Sequence, residues 1–130
     1  MRRWSVLLGV LAAAYFAAAP AYGAVTATAG DGTVAADGSA TVPVTISCTP
    51  GSVVLEAHLS LSQDNQTIAG MAGIGGVRCN GRPRTHPVRV IPFDGAFHSG
   101  EAFASPFLLV QNRRGDATES GGTSSVITLQ

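Results

Sequence analysis

Beyond residue 24 the chain is written in short runs where apolar and polar residues alternate, the repeat of a β-strand with one packed and one wet face. In residues 40–48, Val42, Val44, Ile46 and Cys48 fall on one side and Thr41, Pro43, Thr45 and Ser47 on the other, which aims the Cys48 sulfur inward. The longest alternation follows the turn Thr49-Pro50-Gly51. There Val53, Leu55, Ala57, Leu59 and Leu61 are expected to be buried, and Val54, Glu56, His58, Ser60 and Ser62 to face solvent. Residues 25–29 and 33–36 read as short strands, each followed by a turn dipeptide, Asp31-Gly32 and Asp37-Gly38. Residues 85–91 form a further strand with Val88 and Val90 inward, His86 sharing their parity and Arg89 outward. Pro87 has no N–H to give a ladder, which places this strand at a sheet edge.

Residues 101–110 allow two phases. Either Ala102, Ala104, Leu108 and Val110 are buried, with Phe103, Phe107 and Leu109 outside, or a slip of one residue buries Phe103, Ser105, Phe107 and Leu109 instead. Pro106 is a candidate bulge switching between them. Asp64-Asn65 marks a turn, Gly70, Gly73, Gly75 and Gly76 a flexible loop, and residues 112–125 a polar loop before a last strand at 126–129. No segment carries a helical period. About seven short strands separated by turn signals predict an all-β fold, an immunoglobulin-like β-sandwich.

The 130 residues suffice for one such domain. Residues 1–23 carry the three parts of a secretory signal peptide: Arg2 and Arg3, an apolar run over 6–19, and small residues at Ala21 and Gly23. That run is short and alanine-rich for a membrane span. Residues 24–130 are therefore expected to be an extracellular, secreted β-sandwich with no membrane span once the signal is removed. Cys48 and Cys79 then have only each other to pair with, in surroundings where disulfides persist. The bond is expected to pin one β-layer to the next. After Gly23, six arginines face eight acids, a net charge of −2 that gives no field for nucleic acid.

Candidate chemistry is sparse. His58, His86 and His98 are the residues a metal-binding protein or secreted hydrolase would use, but their inferred orientations scatter, and no Gly-x-Ser-x-Gly elbow occurs. The glycine cluster lacks the Gly-Lys-Ser/Thr ending of a phosphate loop. The Asp-Gly pairs lack the dense oxygen ligands of a calcium loop. No catalytic residue, metal or cofactor is assigned, and a non-enzyme is expected. No Trp or Tyr follows Gly23, which counts against a carbohydrate-binding module with flat aromatic platforms. Two candidate binding surfaces remain. Arg78, Arg82, Arg84 and Arg89 occur with no acid among them and suit an anionic cell-wall polymer, whereas Phe103 and Phe107, with Leu109, suit an extracellular protein partner.

The motifs Ile46-Ser47-Cys48-Thr49-Pro50-Gly51, Val77-Arg78-Cys79-Asn80-Gly81 and Pro92-Phe93-Asp94-Gly95-Ala96-Phe97 leading to Gly100-Glu101-Ala102 resemble those of small secreted proteins of high-GC Gram-positive (actinobacterial) bacteria, a domain-of-unknown-function family. The resemblance covers residues 32–129. Such proteins often carry Trp seven residues after the second Cys, where His86 stands here, and some have a second Cys pair that residues 109–116 lack. The resemblance implies an immunoglobulin-like sandwich and no established activity. Its Gly-x-Ala pattern favours the phase that buries Ala102 and Ala104. The expected function is a non-catalytic binding or structural module at the cell envelope or in the medium.

Overall fold

The computed structural model describes residues 25–130, so the expected signal peptide at 1–23 lies outside the described residues. Nine strands make up the described chain: β1 (Thr26–Ala29), β2 (Thr33–Val34), β3 (Ala40–Ser47), β4 (Val53–Gln63), β5 (Ile68–Gly73), β6 (Arg84–Val90), β7 (Gly100–Gln111), β8 (Thr118–Gly121) and β9 (Ser125–Leu129). All ladder pairs between them are antiparallel. In the first sheet β3 is central, flanked by β6 on one side and by β1 and β2, end to end, on the other. The second runs β5, β4, β7, and then β8 and β9 end to end. The chain crosses between the sheets at 48–52, at 74–83 and at 91–99. This is the immunoglobulin-like sandwich that the alternation predicts.

The core sits between the sheets. Val42, Val44, Ile46 and Cys48 meet Leu59, Leu61, Leu108 and Val110 across it, while Phe97, only 2% exposed, enters from the 91–99 crossover. Backbone bonds close both seams. Gly32 donates to the Thr128 carbonyl and accepts from Gln130 N, each at 3.0 Å, on one side; Phe93 N donates to the Ala69 carbonyl at 2.8 Å on the other. These bonds blunt the edges, which would otherwise present unpaired backbone to another chain.

Three prolines occupy strands at positions where no ladder bond is lost, Pro43 and Pro106 in central strands and Pro87 in an edge strand. Pro43 of β3 lies opposite Pro87 of β6, a pair that exchanges no N–H···O bonds. The missing N–H of Pro87 faces the open edge, and that of Pro43 faces the break between β1 and β2. Pro106 of β7 pairs with Leu59, and its carbonyl lies toward Gly122, in the break between β8 and β9.

Several expectations need correction. The β4–β7 register steps from Val54↔Val110 to Glu56↔Leu109, so Leu55 is a bulge that reverses the phase of the strand's first residues. Val53 and Leu55 are 59% and 50% exposed, and Val54 packs against the core instead. From Ala57 onward the expected phase holds, with Leu59 and Leu61 buried. The glycine-rich segment contains strand β5, and the polar tail contains β8. Pro106 makes no bulge: it is buried in phase with Ala102, Ala104, Leu108 and Val110, which leaves Phe103 47% exposed. The disulfide forms, but Cys79 lies in the 74–83 crossover rather than in a facing strand, so the bond ties the end of β3 to that loop.

Candidate functional site

Strand directions put the turn 48–52, the crossover 74–83 and the turn 112–117 at one end of the sandwich. The Cys48–Cys79 bond joins the first two, and the backbone reinforces it: Gly51 N donates to the Cys79 carbonyl at 3.2 Å and Gly81 N to the Cys48 carbonyl at 3.0 Å. The third turn leans on the first through Arg113. A side chain at Gly51 would place its Cβ 3.1 Å from Arg113 Cδ, and Gly51 has φ 82°, so glycine serves both the turn and the arginine stem. Asn112 braces its own turn, donating from Nδ2 to Asp116 Oδ1 at 2.7 Å and accepting from Asp116 N at 3.1 Å.

This geometry gathers Arg78, Arg82 and Arg84 with Arg113 and Arg114, which sequence reasoning left in a plain loop. All five are exposed, and none forms an ion pair among the described residues. Asp116, the acid in the same turn, is engaged by Asn112. The double arginine was visible in the sequence, but nothing local says that it lies at the same end of the sandwich as a loop some thirty residues earlier.

Arg89 does not join the group. It lies toward the other end of β6, where its guanidinium meets Asp37 Oδ2 at 2.5 Å and Ser39 Oγ at 3.2 Å. Asp37 also accepts from the Ser39 hydroxyl at 2.6 Å and from Ser39 N at 3.0 Å. Those Ser39 bonds first, and Arg89 after them, lower the Asp37 carboxyl to about 2.

The aromatic candidates also separate. Phe107 is half-buried on the outer face of the second sheet, with its ring 5.4 Å from that of His58, and His58 Nδ1 lies 3.0 Å from Glu56. Leu109 is half-buried on the same face. Phe103 is more open. It shares a concavity of about 310 Å³ with Phe93 and Met71.

The three histidines hold different partners. His86 is half-buried opposite Val44, and His98 places Nε2 2.9 Å from Asp64 Oδ2 and Nδ1 2.9 Å from the Ser99 carbonyl. With acceptors at both nitrogens, the imidazolium is favoured: the Ser99 carbonyl, then Asp64, raises the His98 pKa. Among the described residues no three His, Cys, Asp or Glu side chains gather as a metal site. Compared with protein-family models, with curated proteins and with solved structures, the chain matches none.

Proposed function

We propose that this protein is an extracellular, non-catalytic binding module of the cell envelope or medium that holds an anionic polymer at its arginine end. The observation that carries the reading is the placement at one end of the sandwich of five exposed arginines, from the 74–83 crossover, the start of β6 and the 112–117 turn, none of them ion-paired among the described residues. A guanidinium is always charged and presents a planar fork of donors that fits phosphate or carboxylate. A backbone held by a disulfide and two reciprocal hydrogen bonds presents those forks with little ordering left to do on binding. The location rests on the signal peptide read in residues 1–23 and on the disulfide, a bond that persists in oxidising surroundings. It accords with the resemblance to small secreted actinobacterial proteins.

Titration with polyphosphate and with polygalacturonate, as phosphate and carboxylate probes, tests the reading. Binding is expected to weaken steeply with added salt, because exposed charges are screened over about 8 Å at physiological ionic strength. Exchanging Arg82 and Arg84 for serine should weaken binding about tenfold, each exposed contact being worth roughly 0.7 kcal/mol, and leave the thermal midpoint in place. Binding indifferent to salt and to both replacements would leave the arginines as a solvated surface.

A further inference from the structure

The outer face of the second sheet carries a two-lobed groove, away from the arginine end. One lobe, about 310 Å³, has Ser60, Ser62 and Gln66 along its base and rim, between Phe93 and Phe103. The other, about 440 Å³, continues past Phe103 to Glu101 and shares Ser62, Gln66 and Phe103 with the first. Phe103 is thus the ridge between them. Phe93 is 77% exposed and Phe103 47%, so neither ring is spent on the core.

Two features of the lining select a ligand. First, no arginine lines either lobe, and the first lobe has no charged side chain at all. An anion would find no counter-charge there. Second, the side chains of Ser60, Ser62, Gln66 and Glu101 make no hydrogen bond to the rest of the described chain, although the two serines are half-buried. A purely apolar ligand would cover these groups and leave them unpaired, at a cost in affinity. The complementary ligand has apolar faces for the two rings, and an edge of groups that both donate and accept for the hydroxyls, the amide and the carboxylate. A pyranose ring has both: its C–H face packs on an aromatic ring, and its hydroxyls match serine, glutamine and glutamate. Lobes of this size also reach the range of small-ligand sites.

We infer that this groove binds a neutral oligosaccharide, with successive sugar units on either side of Phe103. The absence of Trp and Tyr after Gly23 argued against such a site from composition, yet the fold places two phenylalanines where stacking faces are needed. The inference goes beyond the proposed arginine site and shares no residue with it.

The test titrates the oxidised, isotope-labelled protein with neutral gluco-, manno-, galacto- and arabino-oligosaccharides of two to four units, read by amide chemical shifts. At least one series is expected to shift the amides of Ser60, Ser62, Gln66 and Phe103, with affinity unchanged by added salt. Phe103→Ala should weaken that binding tenfold or more and Ser62→Ala several-fold, with thermal midpoints unmoved. Glu101→Gln should weaken only ligands that reach the second lobe. No saturable shift with any series at millimolar sugar would overturn the inference. So would shifts confined to the arginine loops, or a groove that takes an extended peptide while ignoring every sugar. The arginine site is read separately by its salt dependence, so either reading can fail alone.

Discussion

Asp37 and His98 both lie near the end of the sandwich opposite the arginines, and they respond to pH in opposite directions. The Asp37 carboxyl, held at about 2 by Ser39 and Arg89 against an ordinary 3.8, favours the folded state above its ordinary range. That contribution is present above about pH 4 and is lost as pH falls through about 2. Asp37→Asn should therefore lower stability at neutral pH, slightly because the pair is exposed, and leave it unchanged below about pH 2, which flattens the acid limb of the stability–pH curve in that window. His98 is raised above its ordinary 6.5, so its contribution is complete below 6.5 and fades as pH rises through the higher folded value. A proton NMR titration should place the His98 midpoint above 6.5, and Asp64→Asn should bring it back toward that value. A His98 midpoint at or below 6.5 would mean that the Asp64 and Ser99 acceptors are not held in solution.

At the scale of elements, period-two alternation was a sound guide wherever a strand kept one register. It identified the buried faces of β3 and of β6 and the second half of β4; in β7 it left two phases open, and only the resembled Gly-x-Ala pattern favoured the Ala102-containing face that is buried. It failed at Leu55, because a bulge is set by the partner strand and leaves no mark in its own residues. It failed again at Gly70, which composition assigns to a flexible loop. Gly70 is in β5 because the end of β6 crosses over it, and a Cβ there would lie 2.6 Å from the Ile91 carbonyl oxygen and 2.8 Å from Val90 Cγ1. Gly73 of the same strand has only the Ala57 carbonyl oxygen near that position, at 3.9 Å. Gly70→Ala should accordingly cost roughly 1 to 3 kcal/mol through overpacking at the seam, whereas Gly73→Ala should be neutral within about 0.5 kcal/mol. Paired denaturant melts decide between a packed strand and a flexible loop; equal effects at the two positions would favour the loop.

Across the whole molecule a formal charge near zero hides a separation. One end holds Arg78, Arg82, Arg113 and Arg114 in loops and Arg84 at the start of β6, against Asp116 and the strand residues Glu56 and Glu119, while Asp37, Asp64, Asp94 and Glu101 lie toward the other with Arg89. Part of the proposed binding surface was legible, since Arg78, Arg82 and Arg84 cluster in sequence, but their companions depend on topology. Arg113 and Arg114 arrive only because β7 runs back alongside β4 to the turn that Cys48 and Cys79 secure. A polymer site built this way should lose comparable affinity from either loop. Arg113→Ser with Arg114→Ser should weaken polyphosphate binding about as much as Arg82→Ser with Arg84→Ser, roughly tenfold, at an unchanged melting temperature. Removing the disulfide acts differently. The bond closes a separation of 31 residues, and its loss should cost about 2 to 5 kcal/mol of stability. It would also free the 74–83 crossover from the 48–52 turn that Arg113 leans on. Cys48→Ala with Cys79→Ala, assayed at a temperature where it remains folded, should then bind polyphosphate more weakly while all five arginines are still present. Full affinity in that folded variant would mean that the arginines act as independent charges and that the disulfide serves stability alone.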